Sequence, residues 1–163
     1  MAVAPEVRQL LDEHRIEHEV LHHPEAYTAL EEAEVSHVSG HSWAKTVVFL
    51  TGEGEPIMAV LPASTAVDPE RLEALVGAGL HLADEDAVRR LYPSCEPGGM
   101  PPLGNLYGQR VFVDQRLADQ DEIVFNAGDH RDAVRMRYDD FFWLTQPTMG
   151  RFAAPMRGAP AGS

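Results

Sequence analysis

The stretch from Ala44 to Pro62 constrains the fold more than any other part of the chain. Ala44-Lys-Thr-Val-Val-Phe-Leu50 is rich in β-branched and aromatic residues, Gly52-Glu-Gly54 supplies a turn, and Ile57-Met-Ala-Val-Leu61 returns to a closing proline. Two such runs around a glycine-bearing turn read as a β-hairpin. The fold must therefore place a sheet here. Around it the chain alternates helix and strand signals. Pro5 to His14 spaces Val7, Leu10 and Leu11 as one helical face. Ile16 to His22 alternates as a short strand. Thr28-Ala-Leu-Glu31 matches a capping box and predicts a helix that ends before Ser39-Gly40. Asp68 with Pro69 starts a helix closed by Gly77, and Asp84 caps another carrying Val88 and Leu91. Strands are expected over Arg110–Asp114, Glu122–Asn126 and Ala133–Arg137, and a last helix over Tyr138–Gln146. This order of elements predicts an α+β fold with a mixed sheet.

Between these halves, Tyr92 to Gly108 holds four prolines and four glycines, still punctuated by apolar residues. Such a stretch is a shaped loop rather than a linker. The 163-residue length fits one domain, expected over residues 1–149, and no internal repeat is present. From 150 to 163 the chain is rich in Ala, Gly and Pro and is expected to be a disordered tail.

Charge narrows the function. The formal net charge is −13, with twelve arginines and one lysine, Lys45. Nonspecific nucleic-acid binding, which needs a basic surface to release counterions, is not expected. A local contact with a nucleic acid remains open. The only cysteine, Cys95, excludes an intrachain disulfide framework. Neither a signal peptide nor a membrane-spanning run is evident, so a cytoplasmic location is expected, with no membrane partner.

Three features carry chemistry. Lys45 opens the strongest strand, where it is either a solvent-facing strand residue or an ammonium able to hold a phosphate or an ester oxygen. Gly98-Gly-Met-Pro-Pro-Leu-Gly104 combines permissive glycines with stiff prolines, as an anion cradle or an ordinary surface loop would. His130 lies in a turn between two strands, either a surface histidine or one aimed into a cleft. Metal binding is not expected: of eight histidines, His37 and His41 have helical spacing, but Ser39 and Gly40 interrupt the helix between them. Cys95 has no local base, no Gly-x-Ser-x-Gly elbow exists, and both common nucleotide-binding fingerprints are missing, so no cofactor is expected.

Five short stretches occur in order: His23-Pro-Glu-Ala with Thr28; Ala44-Lys-Thr-Val-Val-Phe; Val60-Leu-Pro-Ala-Ser with Val67-Asp68; Cys95-Glu-Pro-Gly-Gly-Met-Pro-Pro-Leu-Gly104; and Phe125-Asn-Ala-Gly-Asp-His130. From about Val7 to Phe142 the chain thereby resembles the YbaK/ProX family of aminoacyl-tRNA deacylases, which is similar to the editing domain inserted in bacterial prolyl-tRNA synthetases. The resemblance implies a barrel-like mixed sheet flanked by helices. It also implies trans-editing: hydrolysis of the ester joining a mischarged amino acid to tRNA, on the tRNA for proline. The family's essential lysine falls on Lys45, its Gly-x-x-x-Pro loop on Gly98 and Pro102, and its histidine on His130. By the same resemblance, Lys45 holds a terminal phosphate or the ester oxygen, and backbone amides near Gly98 and Gly99 stabilise an oxyanion or position the ribose. His130 lines the aminoacyl pocket. Thr28, Pro101 and Pro102 are carried over as lining, and Met58, Leu61 and Met100 as apolar walls, although core packing explains those three equally well. Asp129 departs from the pattern, since many relatives of that family carry a small neutral residue there. The implied partners are the acceptor end of an aminoacyl-tRNA and, further, a synthetase. A module that binds either one without hydrolysis is the alternative. Cysteine, alanine, serine or a non-protein amino acid are all open as the residue removed.

Overall fold

The computed structural model describes residues 3–156, and its elements follow the turn signals in the chain. In order they are α1 (Pro5–Glu13), β1 (His18–His22), α2 (Ala29–Val35), β2 (Ala44–Thr51), β3 (Pro56–Pro62), β4 (Thr65–Val67), α3 (Pro69–Val76), β5 (Leu80–Leu82) and α4 (Glu85–Leu91). A 3-10 turn at Gly104–Leu106 follows, then β6 (Arg110–Asp114), α5 (Gln115–Ala118), β7 (Glu122–Asn126), β8 (Asp132–Arg137), α6 (Tyr138–Thr145), β9 (Thr148–Gly150) and β10 (Ala153–Pro155). The expected caps form. Thr28 accepts from the Glu31 amide, Asp68 from the Glu70 and Arg71 amides, and Asp84 from the Ala87 amide. Each satisfies a first-turn N–H that has no partner within the helix. α2 is shorter than predicted. It stops at Val35, and His37 then takes a left-handed conformation at φ +57° that reverses the chain.

The hairpin pairs β2 with β3 in a register that sets Lys45 opposite Leu61 and Val48 opposite Met58. β5 adds antiparallel to β2, while β6 adds parallel to β3 and β9 parallel to β6, giving a mixed five-stranded sheet ordered β5-β2-β3-β6-β9. A second, antiparallel sheet is ordered β1-β8-β7. One parallel bridge, Trp43 to Val124, joins the two. They wrap around a shared interior built from Val48, Met58, Val60, Val111 and Val113 on one side and Ile123, Phe125, Val134 and Met136 on the other. The fold is α+β with a mixed sheet, as the sequence predicts.

Strand alternation turns the other side chains of the hairpin outward. Trp43, Lys45, Val47 and Phe49 share this outer face with Ala63, Leu61, Ala59 and Ile57. Two layers cover it. α2 and its flanks pack on Trp43 and Val124, and α3 with Phe152 packs on Phe49 and Leu61. Lys45 lies between the two layers. Among the described residues no helix is long and apolar enough to cross a membrane.

The expectation of a disordered tail from residue 150 is corrected for residues 150–156; residues 157–163 lie outside the described part. Phe152 is fully buried against α3, and β10 pairs antiparallel with β4. The cause is Asp114, buried at the end of β6. One carboxylate oxygen accepts the amides of Phe152 and Ala153 at 2.9 and 2.8 Å, and the other caps α5 through the Arg116 amide at 2.9 Å. Low complexity concealed a segment held by one aromatic and one carboxylate. Phe152→Ala is expected to lower the unfolding free energy by about 3–5 kcal/mol, measured by urea denaturation.

Candidate active site

The site is built where the glycine-rich loop meets the turn between β7 and β8. Asn126 pairs with Ala133, and Ala127 donates its amide to the Asp132 carbonyl at 3.1 Å, leaving residues 128–131 as a tight turn. Asp129 is buried at its centre, where its Oδ1 accepts the amides of Arg131 at 2.9 Å and Asp132 at 2.7 Å. The departure from the family pattern at this position is thus used inside the turn.

The loop lies flat on that turn. The Gly128 amide donates to the Gly99 carbonyl at 2.8 Å, and the Glu96 amide to the Gly128 carbonyl at 2.8 Å. His130 Nε2 donates to the Pro97 carbonyl at 2.7 Å. A Cβ on Gly99 would stand 3.0 Å from three backbone atoms of Asp129, so any other residue would push the two backbones apart. Gly98 holds φ +84°, and a Cβ there would meet the His130 ring at 3.0 Å. The fold therefore brings Gly98, Gly99 and His130 together.

Their amides are arranged differently from the oxyanion cradle implied by the resemblance. The Gly99 N–H already donates to the Glu96 carbonyl at 2.8 Å. The Gly98 N–H faces the thioether of Met100 at 3.2 Å. A thioether is a weak acceptor, so of the two amides Gly98 is the one a ligand can recruit.

Beneath the turn lies a charged cluster that sequence reading missed. Glu32, in the first turn of α2 and 1% exposed, places Oε2 3.5 Å from His130 Nδ1 and 3.8 Å from His23 Nε2. His23 anchors its other nitrogen on the Pro24 carbonyl at 2.8 Å and meets the edge of Trp43 at 5.7 Å between centroids. Glu32 attracts the proton on His130 and, with the Pro97 carbonyl, raises the imidazole to about 9 against a smaller opposing effect of burial. At neutral pH His130 is an imidazolium, not a base. The one available sign was the buried position of Glu32 on its helix, and an acidic first turn ordinarily reads as a solvated complement to the helix dipole.

Lys45 is half-buried on the outer face, two residues after Trp43 and so on the same side as this cluster. Among the described residues it forms no ion pair, and no hydrogen bond joins it to the loop. Burial lowers its ammonium from the ordinary value. The remaining expected residues divide. Leu61 is the buried cross-strand neighbour of Lys45. Met100 is buried beneath the loop, and Pro101 and Pro102 are buried beside it. Thr28 uses its hydroxyl to cap α2. Met58 faces the interior opposite Val48, away from Lys45. Burial raises the Cys95 thiol, which makes it a poor nucleophile. Among the described residues no group of three or more His, Cys, Asp or Glu side chains is placed to hold a metal ion.

Two measurements check this geometry. Gly99→Ala is expected to lower stability by about 1–3 kcal/mol in chemical denaturation, because the neighbour that must yield is backbone. The folded pKa of His130 lies above the free value of ~6.5, so its stabilisation is complete below that pH and disappears as pH rises through about 9. The stability advantage of wild type over His130→Gln should shrink across that interval.

The comparisons with known proteins agree with this fold. A solved structure described as a hypothetical protein superposes with a TM-score of 0.82 at 18% identity, covering 91% of this chain and 99% of its own. Another, whose description proposes a trans-editing enzyme for prolyl-tRNA synthetase, gives 0.80 at 23% identity, covering 93% and 96%. A third, from work on grafting linear epitopes onto scaffold proteins, gives 0.81 at 23% identity, covering 93% and 97%. At these identities the likeness speaks for the fold. No curated protein matches the chain in sequence. The family profile of the aminoacyl-tRNA editing domain matches residues 23–143, well over half the chain and including Lys45, the loop and His130. The chain belongs to the aminoacyl-tRNA editing domain family.

Proposed function

We propose that this protein is a trans-acting deacylase that hydrolyses the ester of a mischarged aminoacyl-tRNA, with the tRNA for proline as substrate. The observation that carries this reading is Lys45. It is the single lysine of the chain, partly desolvated, with no anionic partner among the described residues, on the face of β2 next to Trp43, whose ring meets His23. Such an ammonium is poised for a ligand's charge rather than for the protein's own.

The chemistry asks little of the protein. An aminoacyl ester is already activated, so a bound water or the substrate's own ribose hydroxyl suffices as nucleophile. Lys45 holds the terminal phosphate or the ester oxygen. The Gly98 amide, released from Met100, supports the developing oxyanion, and one such donor is worth ~2.7–4 kcal/mol. His130, already protonated, cannot accept a proton from the nucleophile. Its task is to hold the loop and close the aminoacyl pocket. The acidic surface confines tRNA contact to the acceptor end, so binding of tRNA alone should be weak. The reaction would proceed in the cytoplasm, where tRNA is charged, in company with the synthetase whose errors it removes.

The test is deacylation of a panel of mischarged tRNAs, including cysteine, alanine and serine on the tRNA for proline. Wild type should release at least one amino acid. Lys45→Ala should lose roughly 10²–10³ of that activity, and Lys45→Arg should lose nearly as much although the charge is kept. Full activity in Lys45→Ala would remove the role assigned to it. Tight binding of aminoacyl-tRNA without hydrolysis would replace the enzyme by a binding module.

A further inference from the structure

His130 stands between two acceptors. Nε2 meets the Pro97 carbonyl at 2.7 Å, and Nδ1 faces Glu32 Oε2 at 3.5 Å. Neither acceptor has a proton to give while Glu32 is ionised. A neutral imidazole carries one N–H. With the proton on Nε2, a bare Nδ1 lone pair would face the carboxylate. With it on Nδ1, the bond to Pro97 would break. Only the imidazolium meets both.

We propose that Glu32 is a positioning residue of the editing site: by keeping His130 a double donor, it makes the bond to the Pro97 carbonyl charge-assisted and so fixes the loop that presents Gly98. The assignment rests on the deacylase reading above only for its catalytic consequence. Its geometry stands alone. Glu32 is almost fully buried, and Glu32 Oε2, His130 Nδ1 and His23 Nε2 are all buried atoms without a hydrogen-bond partner, converging on one point. A shift of about half an ångström would bring the carboxylate into hydrogen-bond range of His130 Nδ1. Charge-assisted bonds are about twice as strong as neutral ones, and the element being held is a loop whose backbone adopts a positive φ at the residue after Pro97.

The other charges around His130 do not replace Glu32. Glu96 on the loop adds negative charge from farther away. Asp129 is turned to the amides of Arg131 and Asp132, and the Arg131 side chain points outward to Glu25 at 3.1 Å. Asp132 bonds His22 on the other side of the turn. His23 competes for the same Glu32 oxygen.

Glu32→Gln separates this role from simple packing. Glutamine keeps the volume, and its amide N–H can donate to a bare Nδ1, leaving Nε2–H for Pro97. Glu32→Leu keeps apolar volume but provides neither charge nor donor. NMR titration of the His130 ring in the full chain should show its midpoint falling by about one unit or more in Glu32→Gln. An unchanged midpoint would overturn the proposal. At pH 7.5, Glu32→Leu should lose deacylation roughly tenfold or more through misplacement of the loop, and Glu32→Gln should recover a substantial part of it. Equal activity of folded Glu32→Leu and wild type would also overturn it. If wild type releases no amino acid from any tRNA in the panel, the deacylase reading fails, while the titration still decides whether Glu32 governs His130.

Discussion

The site depends on one close contact between two stretches of backbone. Residues 95–103 have no helix or strand of their own, and the turn closed by the Gly99 to Glu96 hydrogen bond is short. It takes its shape from the turn at 127–131, through the Gly128 to Gly99 and Glu96 to Gly128 hydrogen bonds. That contact exists because Gly99 lacks a Cβ and Gly98 tolerates a left-handed backbone. The turn in turn is held by Asp129 turning its carboxylate onto its own amides. A rigid hairpin end thereby lends its order to a loop that could not supply it.

β2 performs a different division of labour. Its alternation sends Val48 into the interior and Lys45 outward, so a shift of one residue in register would turn core side chains outward and the only lysine inward. The interior on one side and the two outer layers on the other secure that register. Between those layers Lys45 is shielded enough to lose part of its hydration, yet it is left without a counter-ion among the described residues. Although the net charge is −13, no carboxylate among the described residues pairs with it. The lone lysine of the composition is thus a matter of placement as well as of number.

Much of the architecture was legible in the chain. The hairpin, the capped helices at Thr28, Asp68 and Asp84, and the strands β6, β7 and β8 all announce themselves through local chemistry: β-branched runs, side-chain oxygens at N-caps, and a closing Gly77 at φ +81°. The three-residue strands β4, β5, β9 and β10 did not, because such segments carry no period to read. Phe152 lay in a stretch whose composition suggested disorder, and its anchor, Asp114, stands 38 residues earlier. Met58 was equally opaque: its side chain could line a cleft or fill a core, and the inward face of β3 decided for the core.

The sequence by itself determined the element types and the mixed α+β class, and its resemblance to the editing family singled out Lys45, the Gly98–Pro102 loop and His130 as candidates. The elements follow from residue identity and near-neighbour spacing, which need no partner to be meaningful. Tertiary structure alone decided the protonation of His130. That charge comes from Glu32, 98 positions away in the chain and 3.5 Å away in space. Burial, desolvation and the pairing of ionisable groups are properties of atoms brought together by folding, and no spacing along a strand or helix encodes them.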